Sequence, residues 1–206
     1  RSSISGRTSA QRLGVNRVEI QSSEFLRSVQ SFESTRVAVI GDVMLDIWLE
    51  GPVRRISQEA PIPVVELTGR EESPGGAANV AELLASLGAT VSLLGVVGQD
   101  DEASALREAV RSTKITARFV GDEGRPTTTK TRVVSGTQQI CRLDVEDRSP
   151  AVPSIESEMI EAVPEALDGA DAVIISDYGK GALTEKVVDA ILSRTLIGEQ
   201  PTVVDP

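Results

Sequence analysis

The sequence predicts an α/β domain built on a mainly parallel sheet with helices on both faces. Short runs such as "RVAVIG", "TVSLLGVVG" and "DAVIIS" are apolar throughout, as strands buried on both sides must be. Between these runs lie stretches with helical periodicity, and such alternation defines the α/β class. Composition agrees: of 206 residues, 40% are apolar and 25% charged, a globular balance. With three Phe, one Trp and one Tyr, the core must be Val, Leu, Ile and Ala.

The elements follow in order. Residues 1–35 are rich in Ser, Arg and Gln and read as a flexible N-terminal tail with a short helix near residues 24–31. Order begins at Arg36, where "RVAVIGD" reads as a buried strand, and residues 36–206 form the domain. "IPVVELTG" is a strand whose prolines assign it to an edge. "SPGGAANVAELLASLGA" is a helix whose apolar stripe is Val80, Leu83, Leu84 and Leu87, with Gly88 as the stop. "TVSLLGVVG" is a strand, and "DDEASALREAVRS" a helix with three acids favouring its N-terminal dipole. "ITARFV" is a further strand. "TTTKTRVVSGTQQICRLDVE" reads as two strands about a Ser-Gly turn, too polar for a buried sheet and therefore a separate flap, with Cys141 as a packing residue. A helix over residues 155–167, the strand "DAVIISD", the helix "LTEKVVDAILSRTL" and the strand "TVVDP" complete the series, which stops at Pro206. An α/β chain sends a helix back after such a strand, so the sequence is expected to be the front part of a longer domain.

Charge and composition exclude several functions. A net charge of −10 disfavours nucleic acid or an anionic membrane as partner, and scarce aromatics disfavour a single-strand platform. The absence of histidine removes His-activated nucleophiles and argues against a transition-metal site. One cysteine permits no internal disulfide, and no apolar run is long enough to span a bilayer, so a cytoplasmic location is expected.

In open α/β sheets ligands collect at the carboxyl ends of strands. The first strand end carries Asp42 and Asp46, "IISDYGK" carries Asp177 and Lys180, and the last strand Asp205. Carboxylates there can accept several sugar hydroxyls or simply cap the next loop. Gly75 and Gly76 lack Cβ atoms before a helix N-terminus, so a ligand could lie on main chain there, with Asn79 offering both donor and acceptor; the same pair fits a tight turn under close helix–sheet packing. From Arg125 to Leu143 the chain carries Lys130, Arg132 and Arg142 and no acid, a local basic patch suited to a small anion. The G-x-x-x-x-G-K-[ST] phosphate loop is absent.

Taken together, "GDVMLDIWLEGPVRRISQEAPIPVVE", "SPGGAANVAELLASLGA", "PTTTKTRVVSGTQQICRLDVED" and "ISDYGKGAL" resemble the ribokinase-like (PfkB) carbohydrate kinases, and among them most closely the D-glycero-β-D-manno-heptose 7-phosphate kinases. The resemblance implies a three-layer α/β/α sandwich, incomplete on its C-terminal side, with a β lid over about residues 47–68 and 127–146 that makes a homodimer. It implies transfer of the γ-phosphoryl of ATP, with Mg2+, to the anomeric hydroxyl of a heptose 7-phosphate on the way to ADP-heptose and lipopolysaccharide. Asp46, Gly75, Gly76 and Asn79 would grip sugar hydroxyls, Asp42 would assist, and Asp177 would lie near the sugar or the metal. Lys130, Arg132, Arg142 and Lys180 are candidates for the 7-phosphate, chosen by charge. The family's G-A-G-D motif does not occur here. The resemblance implies that the catalytic Asp, the last residue of G-A-G-D, would lie beyond Pro206. No catalytic residue and no metal ligand is therefore assigned, and the chain alone is expected to be inactive. Two alternatives stay open: a non-catalytic sugar-phosphate-binding or dimerisation module, and a kinase for another sugar such as fructose 6-phosphate or an unphosphorylated ketose.

Overall fold

The computed structural model describes Arg27 and residues 29–205. Residues 1–26 and 28, and with them half of the short helix expected at 24–31, lie outside them; residues 29–31 are helical and lead into a 3-10 turn, Phe32–Ser34. Pro206, beyond which the family's catalytic Asp is expected, also lies outside the described residues.

In chain order the strands are β1 (Arg36–Gly41), β2 (Val43–Glu50), β3 (Val53–Ile56), β4 (Pro63–Val65), β5 (Gly69–Gly76), β6 (Thr90–Gly98), β7 (Ile115–Asp122), β8 (Thr129–Ser135), β9 (Gln138–Val145), β10 (Ala172–Ser176) and β11 (Thr202–Asp205). The helices are α1 (Ala77–Ser86), α2 (Asp101–Ala109), α3 (Pro153–Ala166) and α4 (Glu185–Ile197). A five-stranded sheet runs β11-β10-β1-β6-β7 with every pair parallel. Val37 and Val39 of β1 face one side with Val91 and Leu93 of β6, against α1 and α2. Ala38 and Ile40 face the other side with Leu94, Val173 and Ile175, against Met159 and Val163 of α3 and Val187 and Ile191 of α4. The apolar-throughout strands thus fill both sides of a three-layer sandwich. Each fully buried Val, Leu, Ile or Met contributes about 1.5–3 kcal/mol.

A second, four-stranded sheet runs β5-β2-β8-β9, with β2–β5 and β8–β9 antiparallel and β2–β8 parallel. The hairpin read from "TTTKTRVVSGTQQICRLDVE" is β8–β9, turning at Gly136 and Thr137. From Leu45 on, β2 alternates: Leu45 and Ile47 enter the sandwich core, while Asp46, Trp48 and Glu50 face away from it. "IPVVELTG" yields only the three-residue β4, paired with β3 in a two-stranded sheet. Cys141 is exposed on β9, so it is not the packing residue expected.

The helix after the two glycines is α1, and its buried face differs from the leucine stripe. Ala77, Ala78, Ala81 and Ala85 are buried, while Leu83 is 57% exposed. Alanine lets the helix backbone approach the sheet closely; Val80 and Leu84 only flank that contact. The stop lies where expected: Gly88 N–H donates to Ala85 O and Ala89 N–H to Leu84 O, the paired bonds of a Schellman motif.

Candidate acceptor-binding site

The candidate residues gather around the carboxyl end of β1, where the chain crosses into the second sheet. Asp42 sits at the crossing, only 2% exposed. Its Oδ2 accepts from the amides of Tyr178 and Lys180, both at 2.9 Å, and Oδ1 from that of Ala182 at 3.2 Å. Expected to assist at the ligand, Asp42 instead spends its carboxylate on the loop after β10, whose amides would otherwise be buried unpaired.

Four residues on, Asp46 lies in the middle of β2, opposite Ser73 of β5 and Lys130 of β8. A Cβ on Gly75 would lie 3.0 Å from Cγ and Oδ2 of Asp46 and 2.8 Å from Cγ of Met44. The bare backbone of β5 and this carboxylate therefore share one face. Gly76 has φ +57°, and a Cβ there would lie 2.4 Å from Asp42 O. The glycine pair thus answers first to packing between β5 and β2. The lack of a Cβ at buried Gly75 is what lets the Asp46 carboxylate pack against the β5 backbone. Ala77 N–H, the first of α1, donates to Asp42 O and is not open to a ligand. No side chain caps α1, and Asn79 stands exposed in its first turn.

The basic candidates separate by what holds them. Arg132 donates from Nη1 to Asp46 Oδ1 at 2.9 Å, and its guanidinium carbon lies 4.9 Å from the Trp48 ring centroid. Lys130 Nζ lies 5.8 Å from the Tyr178 ring centroid, and among the described residues no acid pairs with it. Both stand beside the Asp46 carboxylate. Arg142 is clamped from two nitrogens onto Asp144, at 2.8 and 2.9 Å, and its charge is already matched. Lys180 is the clearest departure from expectation: its side chain is 9% exposed and its Nζ lies 2.5 Å from Glu146 Oε2. That ion pair ties the end of β9 to the loop after β10. The Lys180 bond, and after it that from Arg148, holds Glu146 below the ordinary carboxyl value despite burial. Asp177 accepts from Gly179 N–H at 2.8 Å, in the loop after β10. Asp205 closes β11, and its carbonyl accepts from Asp177 N–H at 2.8 Å.

Trp48 and Glu146 were not singled out from the sequence. The signal for Trp48 was present: "LDIWLE" alternates with period two, which puts Trp48 on the face of Asp46. Nothing local marks Glu146, whose partner lies 34 positions away, from 146 to 180.

Among the described residues no three His, Cys, Asp or Glu side chains converge as a metal cluster. The family's G-A-G-D motif is not present between Arg1 and Pro206. An open depression of about 450 Å³, lined by Trp48, Glu50, Glu71, Val134, Thr137 and Gln139, lies farther along the same sheet face.

This architecture, a parallel α/β sandwich with a smaller sheet beside the strand ends, is the ribokinase-like fold. Solved structures align with it: ribokinase of Arabidopsis thaliana complexed with ribose and ATP at TM-score 0.56 and 16% identity, over 84% of this chain and 53% of that one. A possible 1-phosphofructokinase of Thermotoga maritima aligns at TM-score 0.61 and 19% identity, over 82% and 53%. The pfkB family carbohydrate kinases match residues 34–195, and the chain belongs to that family. It is 44% identical to the bifunctional protein HldE of Gluconobacter oxydans, over 86% of this chain and 38% of that protein. With the protein of the same name from Aeromonas hydrophila it shares 46% identity, over 87% and 37%. The chain thus spans little more than a third of these curated relatives and about half of the solved structures.

Proposed function

We propose that this chain is the acceptor-binding portion of a sugar-phosphate kinase, with D-glycero-β-D-manno-heptose 7-phosphate as acceptor. The observation that carries the reading is the partly exposed Asp46 carboxylate, packed against the bare Gly75 backbone and flanked by Lys130 and Arg132. A carboxylate oxygen accepts from more than one hydroxyl, and neighbouring cations suit an acceptor that carries its own phosphate. Asn79 completes the hydroxyl grip from α1, and Asp177 stands at the open side. In the reaction the anomeric oxygen bonds to the γ-phosphorus of ATP, the bond to the ADP oxygen breaks and the hydroxyl proton is released. This chain's residues bind and orient the acceptor for that step.

The second sheet takes the part of the lid. Its face opposite Asp46 carries exposed Leu143 and Val145, which supports a homodimer formed through the lid. No helix among the described residues is long and apolar enough to cross a membrane. Place in the cell and in ADP-heptose synthesis follows from the acceptor.

Calorimetry tests the reading. Heptose 7-phosphate is expected to bind, the unphosphorylated heptose at least about tenfold more weakly, which is ~1.4 kcal/mol for the lost phosphate contacts. Asp46→Ala is expected to abolish binding. Equal affinity for both sugars, or binding that survives Asp46→Ala, overturns it.

A further inference from the structure

Trp48 is the one tryptophan of the chain and is 40% exposed, on the sheet face that carries Asp46. Its placement is specific. Across the sheet it stands opposite Glu71 of β5 on one side and Arg132 of β8 on the other. The indole therefore separates the Arg132 guanidinium from Glu71. On its far side Arg132 faces Arg142, a like charge, across the β8–β9 ladder. The acid left within reach is Asp46, and there Nη1 donates, at 2.9 Å to Oδ1. Among the described residues nothing accepts from Nε or Nη2 of Arg132, so the same guanidinium keeps donors for an anion.

We propose that Trp48 is a positioning residue of the acceptor site: its ring holds Arg132 on Oδ1 of Asp46, so that Oδ2 is presented beside Gly75 to the sugar while the spare guanidinium donors face the phosphate. The inference rests on the function proposed above for Asp46 and adds a residue that acts only through Arg132. A guanidinium stacks on an aromatic face and is held there against solvent. An aliphatic side chain in place of the indole would keep the strand but free Arg132 to turn toward Glu71.

The experiment uses the full chain. Trp48→Leu is expected to weaken heptose 7-phosphate binding by about fivefold or more, the loss that a partly buried cation–π contact corresponds to. Trp48→Phe, which keeps a ring face, is expected to stay within about threefold of wild type. Independently of any sugar, Asp46→Asn is expected to shift the Trp48 emission, because the released guanidinium leaves the ring. Wild-type affinity in Trp48→Leu, or equal losses in the Leu and Phe variants, overturns the positioning role while leaving the acceptor site standing. If wild type does not bind heptose 7-phosphate, the acceptor reading fails and the emission arm decides alone: a shift in Asp46→Asn supports the Trp48–Arg132–Asp46 coupling, and an unchanged spectrum overturns it.

Discussion

Asp42 and Asp46 are four positions apart in one apolar stretch and have opposite environments. Asp42 is buried, with three amides on its two oxygens. Asp46 is partly open, with one partner on Oδ1. Mutation should separate them. Asp42→Ala strands three buried amide donors and is expected to cost about 3 kcal/mol or more, read as a lower denaturant midpoint. Asp46→Ala removes a partly exposed ion pair and is expected to cost about 1 kcal/mol while abolishing ligand binding. Gly76 belongs with Asp42: at φ +57°, with Asp42 O beneath it, Gly76→Ala is expected to destabilise by about 2–4 kcal/mol. The sequence brought Asp42, Asp46 and the glycines forward as one ligand-facing set. Only the fold divides it, because whether a carboxylate meets amides or solvent depends on a loop 136 positions away.

At the scale of elements, the parallel strands and the four helices were legible because both-face burial and helical spacing leave direct marks on residue type. β5 was not. "GREESPGG" carries four charged or polar residues, a proline and three glycines, yet pairs along its whole length with β2. It stands at the edge of its sheet, where proline is tolerated, and the pairing partner overrides its propensity. The sheet is tied to the loop after β10 by the Glu146–Lys180 pair. Because the folded carboxyl value of Glu146 is depressed, its contribution is full above the ordinary glutamate value of 4.5 and is lost as pH falls through the lower folded value. Glu146→Gln is therefore expected to narrow the stability gap to wild type as pH is lowered from neutral into that range; urea midpoints across the series check it. A gap that widens on acidification would show that Glu146 is not held as an anion.

For the molecule as a whole, the surface near β11 matters most. β11 is an edge strand with one neighbour, and Val203 and Val204 are exposed, as are Leu196 and Ile197 on α4. Contiguous apolar groups beside an unpaired strand edge favour association. The chain in isolation is expected to self-associate, seen as concentration-dependent mass in sedimentation. A cooperative melt from a strictly monomeric species would contradict this.

By itself the sequence determined the class of fold and the order of most elements, and pointed to the two stretches from which the proposed acceptor site is drawn, because these rest on periodicity and on residue types that act locally. The tertiary structure alone decided which acids and bases remain available. Lys180 and Arg142 are matched by Glu146 and Asp144, Asp42 by backbone amides, and Arg132 is held by Asp46 and Trp48. The reason is physical: a charge is free or spent according to partners brought to it through space, and those partners leave no trace in the residues beside it.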